Sequence, residues 1–210
     1  MVRSALAALA LLSLSTSLTA QEGSIPEGWE VRADRPDQDL SEVVFTEMPP
    51  GWHVTTGPAV ILYRPEMVAG GSYRVDLDVF LFDPQGRREA FGLFIGGHDL
   101  QGGNQRYTYF LIRDGGQFLV KSRDGRETST LVEWTDHPAI RGYEDREDGE
   151  STVENVLTAQ VGPREVRFLV NDQEVTRVSL DGFSVEGIVG LRVNHALNLH
   201  VSRFEIHPGS

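Results

Sequence analysis

Asp76 and Asp78 are separated by one residue in the run YRVDLDVFLF, residues 73–82. If that run is a strand, both carboxylates leave one face about 7 Å apart. Two carboxylates flanking the scissile bond are what glycoside hydrolysis requires, at about 5–5.5 Å for retention or 6.5–9.5 Å for inversion. The spacing permits Asp76 and Asp78 to act as that pair. It suits equally well two solvated acids on the outward face of an acidic protein.

A second pattern suits binding rather than cleavage. Sites for sugars combine aromatic rings, which cover the apolar side of a pyranose, with planar polar groups for its hydroxyls. The stretch GGHDLQGGNQRYTYF, residues 96–110, supplies His98, Asp99, Asn104, Gln105, Arg106, Tyr107 and Tyr109, and EWTDH, residues 133–137, adds Trp134 and His137. In LRVNHALNLHV, residues 191–201, the apolar positions can point inward. That leaves Arg192, Asn194, Asn198 and His200 facing outward on adjacent strands of a hairpin. The expected arrangement has Tyr107, Tyr109 and Trp134 stacking on sugar rings while His98, His137, Arg192 and Asn194 bond hydroxyls. Taken singly, each residue also has a plainer role, the tyrosines capping a half-buried sheet and Trp134 filling the core.

Other chemistries lack their residues. The chain has no cysteine, which removes disulfides, thiolate metal sites and cysteine nucleophiles together. No G-x-S-x-G elbow and no H-E-x-x-H pattern occurs. The glycine pairs at 96–97 and 102–103 open no helical pattern, so a phosphate cradle is unsupported. The segment RGYEDREDGES, residues 141–151, is acidic and without core-forming residues, and it reads as a solvated loop. With the Asp76/Asp78 pair it offers hard oxygen donors, so a structural Ca²⁺ is the one ion considered and no organic cofactor is expected. The 31 acidic against 19 basic side chains give a net charge of −12, which would repel a phosphate backbone and excludes nucleic acid as a partner.

The elements that must position these residues are strands. Residues 1–20 read as a secretory signal, with a basic start at Arg3, an apolar stretch from Ala5 to Leu14 and small residues up to Ala20. The chain is therefore expected to be exported, from a bacterium, with no transmembrane segment once the signal is removed. Residues 21–50 read as a polar tether ending in an edge strand. From Gly51 to about residue 208, short alternating segments are broken by Gly, Asn, Asp and Pro at the spacing of sandwiches and barrels. The expected fold is all-β, a two-sheet antiparallel sandwich of about eleven strands by this segment count.

The order GSYRVDLDVFLF, EAFGLFIGG, QRYTYFLIRDGGQFLVKSRDG, NVLTAQVGPREVRFLVNDQEVTRVSL and GIVGLRVNHALNLHVSRFEI resembles the concanavalin A-like lectin/glucanase superfamily. Within it the chain is similar to secreted domains described as 3-keto-disaccharide hydrolase or family-16-glycosidase-like. The resemblance spans about residues 51–207 and implies a jelly roll with a glycan held on a concave sheet. It does not extend to E-x-D-x-x-E, the acid pattern of laminarinase-type members, which is absent here. Three readings follow: a secreted carbohydrate-binding domain, a glycoside hydrolase using Asp76 and Asp78, or a non-catalytic envelope adhesion module.

Overall fold

The computed structural model describes residues 25–209, so the signal expected over residues 1–20 lies outside the described residues. Fourteen strands occur: β1 Glu30–Ala33, β2 Val44–Glu47, β3 Trp52–Thr55, β4 Val60–Ala69, β5 Tyr73–Phe82, β6 Ala90–His98, β7 Arg106–Arg113, β8 Gln117–Asp124, β9 Glu127–Asp136, β10 Thr152–Val161, β11 Glu165–Val170, β12 Gln173–Ser179, β13 Gly187–Val193 and β14 Asn198–Pro208. They form two seven-stranded sheets, β1-β4-β13-β6-β7-β8-β9 and β12-β11-β10-β5-β14-β3-β2. Every pairing is antiparallel. Beyond the eleven segments counted after residue 50, β2 is the edge strand expected before it, and β1 and β3 are additional; all three are only four residues long.

β5 shows why these residues make a sandwich. Tyr73, Val75, Leu77, Val79 and Leu81 are all buried, while Arg74, Asp78, Phe80 and Phe82 stay half-exposed on the other side. The period of two sends the first set between the sheets. There they meet residues of the first sheet such as Leu93 and Phe118 in one continuous core. Phe110 on β7 and Phe168 on β11 cross that core with ring centroids 4.8 Å apart, tying sheet to sheet.

Residues 30–47, expected within a tether and one edge strand, supply outer strands to both sheets. The sandwich therefore begins near Trp29 rather than at Gly51. Trp29 is buried, its ring 4.9 Å from Phe45 and 5.1 Å from Trp52. β1 and β4 join the first sheet only through β13, and β2 and β3 join the second only through β14.

The acidic segment after β9 is a loop carrying one 3₁₀ turn, Tyr143–Asp145. Buried Asn155 holds its start, accepting the Arg141 N–H and donating to the Arg141 carbonyl, both at 2.9 Å. Asp145 and Asp114 accept the N–H groups of Gly142 and Tyr143 at 2.7 Å, so these carboxylates serve the backbone of the turn. No helix among the described residues is long and apolar enough to cross a membrane.

Candidate functional site

The outward face of the first sheet is itself apolar. Ile61 and Tyr63 of β4, Ala90 and Phe94 of β6, Tyr107, Tyr109 and Leu111 of β7 and Leu119 of β8 form a second buried cluster. Leu100, from the loop between β6 and β7, completes it. The Phe94 ring fits because β13 carries Gly190 beside it, where any side chain would collide with the ring.

Across this layer runs an ion pair between distant parts of the chain. Asp34, just after β1, accepts from Arg192 of β13 in a fork, at 2.7 Å from Nη1 and 2.6 Å from Nη2. Arg192 Nη1 also donates to the Tyr107 hydroxyl at 3.0 Å, and its guanidinium carbon lies 4.7 Å from the Tyr109 ring centroid. Arg123 of β8 adds a second guanidinium to Asp34 at 3.3 Å. Burial on its own would raise the Asp34 carboxyl, but the hydrogen bonds and charge of Arg192, with Arg123 behind, hold it below the usual carboxylate range. Burial also works against the Arg192 charge, and Asp34 more than restores it.

At one end of β6–β8, on the opposite face of the sheet from this layer, lies a cavity of about 280 Å³. Register explains its lining. His98 stands opposite Arg106, and Arg106 opposite Asp124, in one row across three strands. Thr108 and Ser122 face each other in the next row. Phe183 and Ser184, before β13, close one side, and Tyr107 and Arg123 also reach the wall. The His98 ring is fixed by a 2.7 Å hydrogen bond between Nε2 and the Glu186 carbonyl. One concavity thus carries an imidazole, a guanidinium group, a carboxylate, hydroxyls and the Phe183 ring, while Tyr107 and Arg123 border it through their strands and send their side chains to the other face. Such a set can hold a polyhydroxylated ring through hydrogen bonds in both directions.

Of the residues singled out above, His98 and Tyr107 line this cavity, and Tyr109 and Arg192 form the layer beside it. Tyr107, Tyr109 and Arg192 are each no more than 6% exposed, so they support the cavity more than they face solvent. Asn194 follows β13, with its N–H on the Ala90 carbonyl and its own carbonyl accepting from Thr56. The expected hairpin placing Arg192 and Asn194 beside Asn198 and His200 does not form. β13 belongs to the first sheet and β14 to the second, so the chain changes sheets between them. Trp134 lies near the opposite end of β8, on β9, with the Arg113 guanidinium 3.9 Å from its ring centroid. His137 is at that same far end, its Nδ1 accepting the Ala139 N–H at 3.2 Å.

Asp76 and Asp78 share the outward face of the second sheet, and arginines hold both. Arg74 Nε donates to Asp76 at 2.8 Å, and Thr158 donates to it at 2.5 Å. Arg203 grips Asp78 in a fork at 2.8 and 2.9 Å. Burial raises the Asp76 carboxyl, but Arg74 and Thr158 outweigh it and keep the group ionised, the reverse of what a general acid needs. No group of three or more His, Asp or Glu residues able to hold a metal ion occurs among the described residues.

The lowered carboxylates set an acid limit on stability. Asp34 and Asp76 sit below their ordinary value of 3.8, so the stability they contribute is complete above about pH 5 and is lost as pH falls through their folded-state values. Urea midpoints should stay level from pH 7 to 5 and drop steeply towards pH 3. The Asp34→Asn variant should show a shallower drop; an unchanged drop would remove Asp34 as a cause.

Arg106 belongs to the polar stretch picked out above, but Asp124, Thr108, Ser122 and Phe183 were missed as site residues. The first three of these were accessible: counting outward equally from Gly115 in the turn Asp114-Gly-Gly116 pairs 106 with 124 and 108 with 122.

The chain matches no protein-family model and no curated protein sequence. Solved structures do resemble it. The carbohydrate-binding module CBM66 from Bacillus subtilis superposes with a TM-score of 0.63 at 12% identity, over 86% of this chain and 96% of that one. The GH16 protein of the Bacteroides ovatus mixed linkage glucan PUL, solved with its G4G4G3G product, superposes with a TM-score of 0.60 at 7% identity, over 87% and 96%. A Bacillus subtilis protein of unknown function with a galectin-like fold gives 0.58 at 10% identity, over 85% and 88%. Likeness at such identities is likeness of fold. With its two seven-stranded antiparallel sheets, the chain is a jelly-roll β-sandwich of the fold these structures share.

Proposed function

We propose that the chain is an exported carbohydrate-binding domain whose ligand occupies the cavity between β6–β8 and the Phe183–Ser184 segment. The row His98, Arg106, Asp124 carries this reading. Two faces of a sugar ring need different partners, and here the aromatic surface of Phe183 stands beside donors and acceptors on one wall. The carbohydrate-binding module and the glucan-complexed GH16 protein that share the fold support a sugar over other hydroxylated ligands. The signal-like residues 1–20 support export.

The test is retention of a pooled oligosaccharide panel, 3-keto-disaccharides included, by the purified chain, with both ultrafiltration fractions read by mass spectrometry. Intact sugar should stay with the protein. A hydrogen bond to a charged group is worth about 1.5–3 kcal/mol, so Arg106→Ala and Asp124→Asn should each weaken retention about tenfold or more. Trp134→Ala and Asp78→Asn should leave it within twofold. Smaller products that vanish with Asp78→Asn would replace the binding reading with a hydrolase; retention that ignores Arg106 and Asp124 would place the site elsewhere.

A further inference from the structure

The outward face of the second sheet carries two histidines that nothing described so far uses. His53 of β3 and His200 of β14 are directly opposed in register, in a row that continues to Thr46 on β2 and Phe80 on β5. Directly opposed residues of an antiparallel pair have Cβ atoms about 4.5–5.5 Å apart. Both side chains are half-exposed, so solutes reach them. Yet each ring keeps Nδ1 shielded from solvent and without a hydrogen-bond partner. A shielded ring nitrogen left unpaired is costly, and two of them on opposed residues ask for a shared explanation.

The surroundings favour imidazole as a ligand. Phe82 packs edge-on against His53 with centroids 5.4 Å apart, and Phe80 lies 5.9 Å from His200, so aromatic walls limit how the two rings can turn. With metal–nitrogen bonds of about 2.0–2.1 Å, two adjacent ligand nitrogens lie about 3 Å apart, within reach of side chains rooted at this spacing.

We propose that His53 and His200 together form a two-imidazole site for a divalent transition-metal ion, with copper(II) bound in preference to zinc or nickel. Imidazole nitrogens suit these ions, and copper(II) stands at the top of the affinity order for such donors. Among the described residues no acid joins the pair, so water or a ligand from outside fills the other positions, which sets this site apart from a closed structural one. Because the histidines come from β3 and β14, the bound ion would cross-link the strand pair that attaches β2–β3 to the second sheet.

Copper(II) titration of the full chain, followed by electron paramagnetic resonance, tests this. The first equivalent should show hyperfine coupling to two imidazole nitrogens. His53→Ala and His200→Ala should each weaken it at least tenfold, whereas His207→Ala, beside Asp76 and Glu205 at 3.5 Å, should leave it unchanged. Paramagnetic broadening in the unaltered chain gives a second readout, free of any folding defect in the variants: the ring signals of His53 and His200 should disappear before those of the other histidines. Broadening that reaches His207 or His137 first, single-nitrogen coupling, or affinity within twofold in either alanine variant would overturn the proposal.

Discussion

Arg192→Ala is expected to destabilise the fold by about 3–5 kcal/mol, the usual cost of removing one partner from a buried ion pair. The loss comes less from the missing attraction than from what stays behind. Asp34 is only about 27% exposed, and without the fork it keeps only Arg123 at 3.3 Å. The Tyr107 hydroxyl loses its partner as well, and Tyr109 loses the guanidinium over its ring. Arg123 gives partial compensation, so the lower end of that range is the better figure. Urea unfolding curves for the variant and the parent chain measure it. The double variant Asp34→Leu/Arg192→Met removes both charges and should recover most of the loss. A single variant costing under about 1 kcal/mol would mean that Arg123 and water already satisfy Asp34.

Phe94→Ala carries the other large effect, about 3–5 kcal/mol from lost burial and the void left behind. The ring is fully buried, 5.1 Å from Tyr107 and 6.4 Å from Tyr63 by centroid, in a layer that the opposite sheet does not help to fill. Gly190 and Gly97 leave bare backbone around it, so no neighbouring side chain can relax into the space. Phe94→Leu should recover more than half of the loss. β7 rests on Phe94 through Tyr107 and carries Arg106 and Thr108 of the cavity on its other face, so Phe94→Ala should also weaken sugar retention under conditions where the variant is fully folded. Thermal and urea unfolding measure the first effect, and the oligosaccharide panel the second. A normal retention profile in a folded Phe94→Ala chain would separate the cavity from the layer beneath it.

Legibility in the sequence followed the range of the interactions. The ten residues of β5 alternate so fully that strand, inward face and outward acids could all be read from them. The parity of Asp76 and Asp78 was visible, and so was Arg74, two positions before Asp76 on the same face. Arg203 was not, because it reaches Asp78 from 125 residues away. Four-residue strands such as β1 and β3 hold too few positions for alternation to stand out from chance. Alternation also tells which side of a strand a residue occupies but not which sheet the strand joins. That is why Arg192 and His200 seemed neighbours although their strands belong to different layers. Asp34 offered no local signal at all, since its partner lies 158 residues further on. The row Arg106–Asp124 was within reach, because a hairpin's turn dictates its register.

The attachment of β1–β4 through β13 and of β2–β3 through β14 has a consequence for how the molecule comes into being. The first four strands to be synthesised have no place in either sheet until the last two arrive. A chain growing from its N-terminus can assemble β6–β9 and β10–β12 from neighbouring hairpins while residues 30–69 wait. Closure then depends on contacts between the two ends of the sequence, the kind that form slowly. Loss of the final two dozen residues would therefore do more than shorten an edge. It would set both opening strand pairs adrift and leave the middle of each sheet with a raw, unpaired margin.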